Sequence, residues 1–293
     1  MALLLLDFEK AYDRVDWDFL QGTMLRFGFE DSWIKGVAAL YSTAISRILL
    51  AGLKGPAIPL TRSVRQGCPL APFLFLFFAE AMSAYLNHVS IGLKGISLPI
   101  IESELLDVEF ADDTGLYLEG ASDNLMRAEL AIGNFCIASG AKINWHKTVG
   151  LWIGDSTPLN WCPDPNFRWI EKGTPVRYLG CQVGIDLTAE QQINPLLLTI
   201  RKKLIYWSSA KLSLAGRVVI ANHVLLSTMW FILSCWIFSR SCVNQIQRLI
   251  RNFLWAGNQG EAARAKVAWG ILIKPKSLGD WALWTQWIKV VPF

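Results

Sequence analysis

The chain has 293 residues, 53% hydrophobic and only 18% charged, with 14 tryptophans. That length and apolar content suffice for one large domain or two ordinary ones and exclude a disordered chain. The net charge of +4 hides a split: residues 1–185 carry 15 Lys+Arg against 20 Asp+Glu (net −5), residues 186–258 carry 8 against 2 (+6), and residues 259–293 carry 5 against 2 (+3). An acidic first part and a basic second part suit a metal-binding centre beside a polyanion-binding surface, and suit ordinary surface variation about equally well. Residues 1–6 are apolar but lack a basic leader and meet Asp7 at once, so they do not read as a secretory signal. The six cysteines are scattered, with no CxxC pair and no zinc-ligand spacing, which reads as buried free thiols in a reducing compartment.

Ala2–Leu6 is a continuous apolar run, the pattern of a strand covered on both faces. Residues 17–27 and 32–41 read as helices, the second opened by Asp31 or Ser32 as N-cap. Residues 47–50 are strand-like, and the Gly/Pro-rich stretch 54–72 is mostly loop. Residues 74–86 read as a buried helix. Residues 105–111 and 115–118 flank a polar turn, a hairpin with Asp112 and Asp113 at its tip. A helix over Ser122–Ser139 follows, with Gly140 at its C′ position, then strand-like runs at 149–153 and 176–183. Thr188 and Gln191 have capping-box spacing, and beyond them residues 196–207, 214–238 and 243–255 all fit a helical period. The last of these sets Val243, Ile246, Ile250 and Phe253 on one stripe. A boundary near residue 185 separates strands with helices from helices alone.

Residues 218–238 contain no Asp, Glu, Lys or Arg over 21 positions, long enough to span a bilayer. Asn222, His223, Ser227, Thr228 and Ser234 within the run favour a helix buried between protein surfaces.

Asp7 ends the first strand, and Asp112 and Asp113 sit at a hairpin tip about a hundred residues later. Carboxylates gathered at a sheet edge repel one another, and a divalent cation removes that cost. Two such ions about 3.5–4 Å apart can activate an attacking hydroxyl and stabilise a leaving oxygen. An Asp-Asp pair alone is weak evidence, because turns favour Asp.

The flanking words carry more. LLLLDFEKAYDRVDW, RSVRQGCPLAPFLF, FADD, SGAKINWHKT and RYLG occur in that order. The series resembles the reverse transcriptases of non-LTR (LINE-type) retrotransposons, from the first palm motif toward the thumb. KLSLAGRVVIANHVLLS and IRNFLWAG resemble the thumb helices, and KPKSLGDWAL extends the resemblance faintly, so it covers roughly residues 1–283.

This resemblance implies an α+β fold, a reverse-transcriptase palm (an antiparallel sheet packed on helices) over 1–185, followed by an all-α thumb over 186–258 and a C-terminal remnant over 259–293. It implies an RNA-directed DNA polymerase using two Mg²⁺ ions, with Mn²⁺ as a substitute, and an RNA template, a DNA primer and dNTP as partners. Asp7 and Asp112 match the principal metal-binding carboxylates and Asp113 their companion. Phe8 would lend a backbone carbonyl to the metal, and Tyr12 matches the aromatic beneath the sugar. Gln66 and Gly67 match the motif that contacts nucleotide and template, with Arg65 beside them. Lys147 matches the lysine that neutralises the leaving pyrophosphate, Lys142 being a weaker candidate. Tyr178, Leu179 and Gly180 resemble the primer grip. Arg201, Lys202, Lys203, Lys211, Arg217, Arg248 and Arg251 would lie on the thumb, some of them touching nucleic-acid phosphates.

The sequence departs from the family pattern in places. Met1 lies six residues before Asp7, so the fingers and the endonuclease are expected to be missing, with palm surface exposed as a result. No Cys/His knuckle or ribonuclease H region follows, and residues 225–236 lack a proline that the family often carries. The resulting expectation is a poorly active relic inside the cell, in nucleus or cytoplasm, with no membrane association. The competing reading is a non-catalytic nucleic-acid-binding module built on the basic helices.

Overall fold

The computed structural model describes residues 1–98, 104–154, 158–236, 238–256, 265–268 and 271. It divides into two compact units, Met1–Glu171 and Lys172–Phe293. Most of 259–293, including the KPKSLGDWAL words, lies outside the described residues.

In the first unit β1 (Ala2–Leu6) is buried at all five positions because it is the middle strand. The sheet also contains β2 (Asp107–Phe110), β3 (Asp113–Leu118), β4 (Val149–Trp152) and β5 (Arg168–Ile170), in the order β5-β4-β1-β3-β2. The pairings β1–β3, β1–β4 and β2–β3 are antiparallel, as the sequence suggested, while β5, which the sequence did not suggest, joins β4 in parallel. Strand β5 is only three residues long and has no clean alternation, so only its pairing with β4 reveals it.

Helices α1 (Trp17–Arg26), α2 (Asp31–Tyr41), α3 (Ala71–Leu86) and α4 (Ser122–Ser139) complete this α+β unit. Asp16 caps α1 by accepting the N–H groups of Asp18 and Phe19, each at 3.0 Å. Helix α2 starts one residue earlier than expected. Its N-cap is Glu30, which makes no side-chain cap, and Asp31 falls in the first turn, where its charge opposes the positive end of the helix. Pro72 starts α3 where its missing N–H costs nothing, and Gly140 ends α4 in the left-handed region, as expected. Phe19, Phe78 and Phe135 meet edge to face where α1, α3 and α4 converge. Between α2 and α3 the stretch expected as one strand and a loop forms two-residue strands instead, with Ile48, Leu49, Leu50 and Leu53 exposed.

The second unit begins with a hairpin, β6 (Val176–Tyr178) and β7 (Cys181–Val183), where the sequence suggested one continuous run. Helices α5 (Ala189–Ser208), α6 (Leu214–Cys235) and α7 (Arg240–Ala256) follow. The Thr188–Gln191 capping box forms with both of its bonds. The hairpin belongs with these helices: Gln191 Nε2 donates to the Gly173 carbonyl, and the Gly173 N–H donates to Ile185 at 2.8 Å. The compact boundary therefore lies before the hairpin, whereas the switch to helices alone lies near 185.

Helix α6 contains a π-helical stretch at Ala221–Leu226, and Lys203 Nζ donates to the Val224 carbonyl within it at 3.2 Å. Its inner face, with Val218, Ala221, Leu225 and Met229, packs in one core with Ile200, Ile246 and Ile250. Val219, Trp230 and Phe231 are exposed, so the helix is covered on one side and not between two protein surfaces. By length and composition it is also apolar enough to cross a membrane.

Candidate active site

The site is assembled where β1 ends. The N–H of Asp7 donates to Thr148 Oγ1 at 3.1 Å, and its carbonyl accepts the N–H of Asn144 at 2.7 Å. Phe8 then bridges to Ile143, and the N–H of Glu9 donates to Lys142 at 2.8 Å. The segment 142–148 thus forms a splint along residues 7–9. Because the Phe8–Ile143 bridge is made by the flanking residues, it leaves Phe8's own carbonyl uncommitted to that pairing. Asn144 and Thr148 are positioning residues that sequence reasoning missed. Thr148 ends the SGAKINWHKT word, and its complete burial beside a strand end comes only from the fold.

The hairpin delivers the other two carboxylates. Phe110 pairs with Asp113, so the turn is Ala111–Asp112, with Ala111 at φ 55°, and Asp113 is the first residue of β3 and not part of the tip. The β1–β3 register runs to Leu6 opposite Thr114. Asp7 and Asp113 are the residues that follow and precede this last pair, the Asp7 charge acts on Asp113, and Asp112 is exposed. The electrostatics agree with this geometry. Burial raises the Asp113 carboxyl above its ordinary value, and the charges of Asp112 and then Asp7 add to the effect.

Tyr12 lies beside the same group. Its ring stacks on Phe75 with centroids 4.3 Å apart and planes 11° from parallel. Burial raises its phenol pKa, and the charge of Asp112 adds to that. The Tyr12 carbonyl accepts the N–H of Val64 at 2.9 Å, which ties this aromatic to the segment that leads to Arg65, Gln66 and Gly67. That segment is held in unusual backbone: Ser63 at φ 105°, Arg65 at φ 51° and Gly67 at φ 90°. Ser63 is buried and fixes it, donating from Oγ to Asp13 at 3.3 Å and accepting the N–H of Arg65 at 3.1 Å. Left-handed backbone at non-glycine residues costs energy and concentrates at functional sites. Gly67 is required by its φ, since an added Cβ would meet nothing within 4 Å. Arg65, Gln66 and Gly67 are all exposed, and the Arg65 guanidinium sits 6.0 Å from the centre of the Tyr41 ring.

The two lysines differ. Lys147 Nζ is 3.9 Å from Asp7 Oδ2, at the edge of the site, and largely exposed. Lys142 is engaged elsewhere, 2.9 Å from Glu9 Oε2, where its hydrogen bond lowers the pKa of that carboxylate.

Residues 2–183 match the family model described as reverse transcriptase (RNA-dependent DNA polymerase). This chain belongs to the reverse transcriptase family. Its relatives are proteins of non-LTR elements. It is 30% identical over 267 residues to the transposon TX1 uncharacterized 149 kDa protein of Xenopus laevis, covering 90% of this chain and 20% of that protein. It is 30% identical over 156 residues to the retrovirus-related Pol polyprotein from the type-1 retrotransposable element R2 of Popillia japonica, covering 52% of this chain and 21% of that one. It is 24% identical over 257 residues to the RNA-directed DNA polymerase from the mobile element jockey of Drosophila melanogaster, covering 83% and 27%. The chain thus spans between a fifth and about a quarter of the length of these relatives. Among solved structures, a Candida tropicalis telomerase complexed with a telomeric RNA fragment aligns with a TM-score of 0.47 at 12% identity, covering 86% of this chain and 39% of that one.

Reverse transcriptases use divalent metals. Among the described residues no three His, Cys, Asp or Glu side chains are already gathered closely enough to hold an ion. The donor chemistry nevertheless fits a hard cation: burial, and then the charges of Asp112 and Asp7, raise the Asp113 carboxyl, a cost that a cation beside these oxygen ligands would remove.

The second unit carries the remaining candidates. Tyr178 and Cys181 pair across the Leu179–Gly180 turn, with both turn residues at positive φ, 46° and 82°. Such a turn matches the twist of a two-residue hairpin. It suits Gly180, while Leu179 is strained. Arg201, Lys202, Lys211 and Arg248 are exposed and Arg251 is half-buried. Arg217 and Lys203, expected as phosphate contacts, bond within the unit. Arg217 donates to the Leu254 carbonyl at 3.0 Å near the end of α7, and Lys203 donates to Val224.

Proposed function

We propose that this domain carries out RNA-templated DNA synthesis, with Asp7, Asp112 and Asp113 holding divalent cations, Mg²⁺ by preference. The observation that carries this reading is the pairing of Leu6 with Thr114 at the ends of β1 and β3, beside which the charges of Asp112 and Asp7 both act on Asp113. When bound, the ions would supply charge stabilisation for in-line displacement at the nucleotide α-phosphate by the primer 3′-hydroxyl. The carboxylates of Asp7 and Asp112 and the carbonyl of Phe8 are the ligands this chain offers. Asp113, raised by burial, favours a neighbouring positive charge. Tyr12, braced by Phe75, forms the platform beneath the sugar. Lys147, at the rim, meets the negative charge that leaves with pyrophosphate. Arg65, Gln66 and Gly67 form an exposed loop of fixed shape that takes nucleotide and template.

Primer extension on an RNA template with Mg²⁺, comparing the unmodified chain with Asp112→Ala, tests the proposal. Extension by the former and its loss in the latter are expected; equal extension by both would sink the assignment. A second reading, nucleic-acid binding without synthesis, is favoured by the ungathered carboxylates and the exposed basic residues of the helical unit. It requires retained RNA binding with a marked salt slope in Asp7→Ala and Asp112→Ala, and no extension by the unmodified chain.

A further inference from the structure

Ser63 stands where two stretches of the first unit are laced together. Its N–H donates to the Val15 carbonyl at 2.9 Å, its carbonyl accepts the Trp17 indole N–H at 2.9 Å, and the next N–H, on Val64, donates to Tyr12 at 2.9 Å. Asp16 and Arg62 bridge just before it. Residues 62–64 therefore lie along residues 12–17, the stretch that carries Tyr12. Ser63 is buried with its backbone at φ 105°, a conformation that disfavours any side chain and that glycine adopts freely. The side chain found there is anchored by both of its hydroxyl bonds, donated to Asp13 Oδ1 at 3.3 Å and accepted from the Arg65 N–H at 3.1 Å. An ionised carboxylate can only accept and a backbone N–H can only donate, so these two partners fix the direction of the hydroxyl.

Beyond Val64 the chain leaves this lacing and enters the exposed loop of Arg65, Gln66 and Gly67. Arg65 is held on both sides, its N–H by Ser63 and its carbonyl by the N–H of Cys68 at 3.2 Å. Tyr41 meets both ends of the loop: its ring centre lies 6.0 Å from the Arg65 guanidinium and its hydroxyl 3.8 Å from Cys68 Sγ. The Cys68 thiol is half-buried, and Cys162 and Cys235 are exposed, so the thiols expected to be buried are not all so. We propose that Asp13 and Ser63 are a pair of positioning residues that set the shape of the nucleotide-contacting loop through the Arg65 N–H. The pair touches no reacting atom and acts on nucleotide affinity, because its bonds end at Arg65, while Asp7 is held by separate bonds to Asn144 and Thr148. This role rests on the reading of Arg65, Gln66 and Gly67 as the loop that takes nucleotide.

Two measurements on the full chain test it. Hydrogen exchange, read by mass spectrometry on peptides covering residues 63–68, follows the Arg65 N–H without any need for activity. Primer extension on an RNA template with Mg²⁺ at varied dNTP separates KM from kcat. Ser63→Gly suits both, since glycine keeps φ 105° unstrained and removes only the hydroxyl. Faster exchange in the loop is expected for Ser63→Gly and Asp13→Ala. The KM for dNTP should rise roughly 3–10-fold, the loss of about one hydrogen bond, with kcat nearly unchanged. Asp13→Asn, which keeps an acceptor oxygen, should stay close to the parent, and adding Asp13→Ala to Ser63→Gly should raise KM no further, since both break one link. Unchanged exchange and KM in Ser63→Gly would overturn the proposal, as would a fall in kcat at constant KM, or Asp13→Asn as impaired as Asp13→Ala. An unmodified chain that makes no product at all would instead overturn the polymerase reading, and this role with it.

Discussion

Glu109 lies in β2, opposite Thr114, three residues before Asp112. Its Oε1 is buried without a hydrogen-bond partner among the described residues. Burial, then the charges of Asp107 and Glu80, push its carboxyl from 4.5 up to about 8. In the folded chain it therefore holds a proton between these values, while in the unfolded chain it has lost it. A raised pKa of this kind contributes stability that is fully present below pH 4.5 and is lost as pH rises through about 8. At full desolvation the displacement corresponds to about 5 kcal/mol. Glu109 is only half-buried, and water at its open side reduces this to about 2 kcal/mol. Glu109→Gln keeps the shape and removes the titration. Urea unfolding of both proteins across the pH range should show the variant about 2 kcal/mol more stable above pH 8 and equal to the parent near pH 4.5. A difference independent of pH, or a variant less stable at high pH, would refute the reasoning.

Gly150, in β4 between β1 and β5, has no room for a side chain: an added Cβ would lie 2.6 Å from Trp169 Cζ3 and 2.8 Å from Phe167 Cζ. Gly150→Ala should cost about 1–3 kcal/mol or more, read as a lower urea midpoint followed by tryptophan fluorescence; an unchanged midpoint would show that the aromatic cluster is not close-packed. Arg217 and Arg248 should separate structural from binding roles. Arg217→Ala loses the bond to Leu254 and leaves that carbonyl short of a donor, for about 1–3 kcal/mol of stability. Arg248→Ala should leave the unfolding midpoint unchanged and flatten the salt dependence of RNA binding by about one phosphate contact; the reverse pattern would exchange the two assignments.

The sequence by itself determined the family and the α+β class, and it singled out the three aspartates as candidates. It also located β1, α4 with its glycine cap, and the Thr188 capping box. These rest on information carried within a few residues: an unbroken apolar run, a helical period closed by glycine, a Thr-x-x-Gln spacing, words in fixed order. The tertiary structure alone decided what depends on partners distant in the chain. The strand β5 exists because it pairs with β4, where Trp169 packs edge to face on Trp152. Residues 176–183 fold back on themselves because Leu179 and Gly180 turn through positive φ. Lys203 and Arg217, outwardly basic residues of a basic segment, face carbonyls of their own unit. At the site, local sequence named the carboxylates, but the hydrogen bonds that Asp7 accepts from Asn144 and donates to Thr148, and the register of β1 on β3, fix where the end of β1 lies. Residue type is a local property, whereas the distance between carboxylates a hundred residues apart is set by how the sheet pairs.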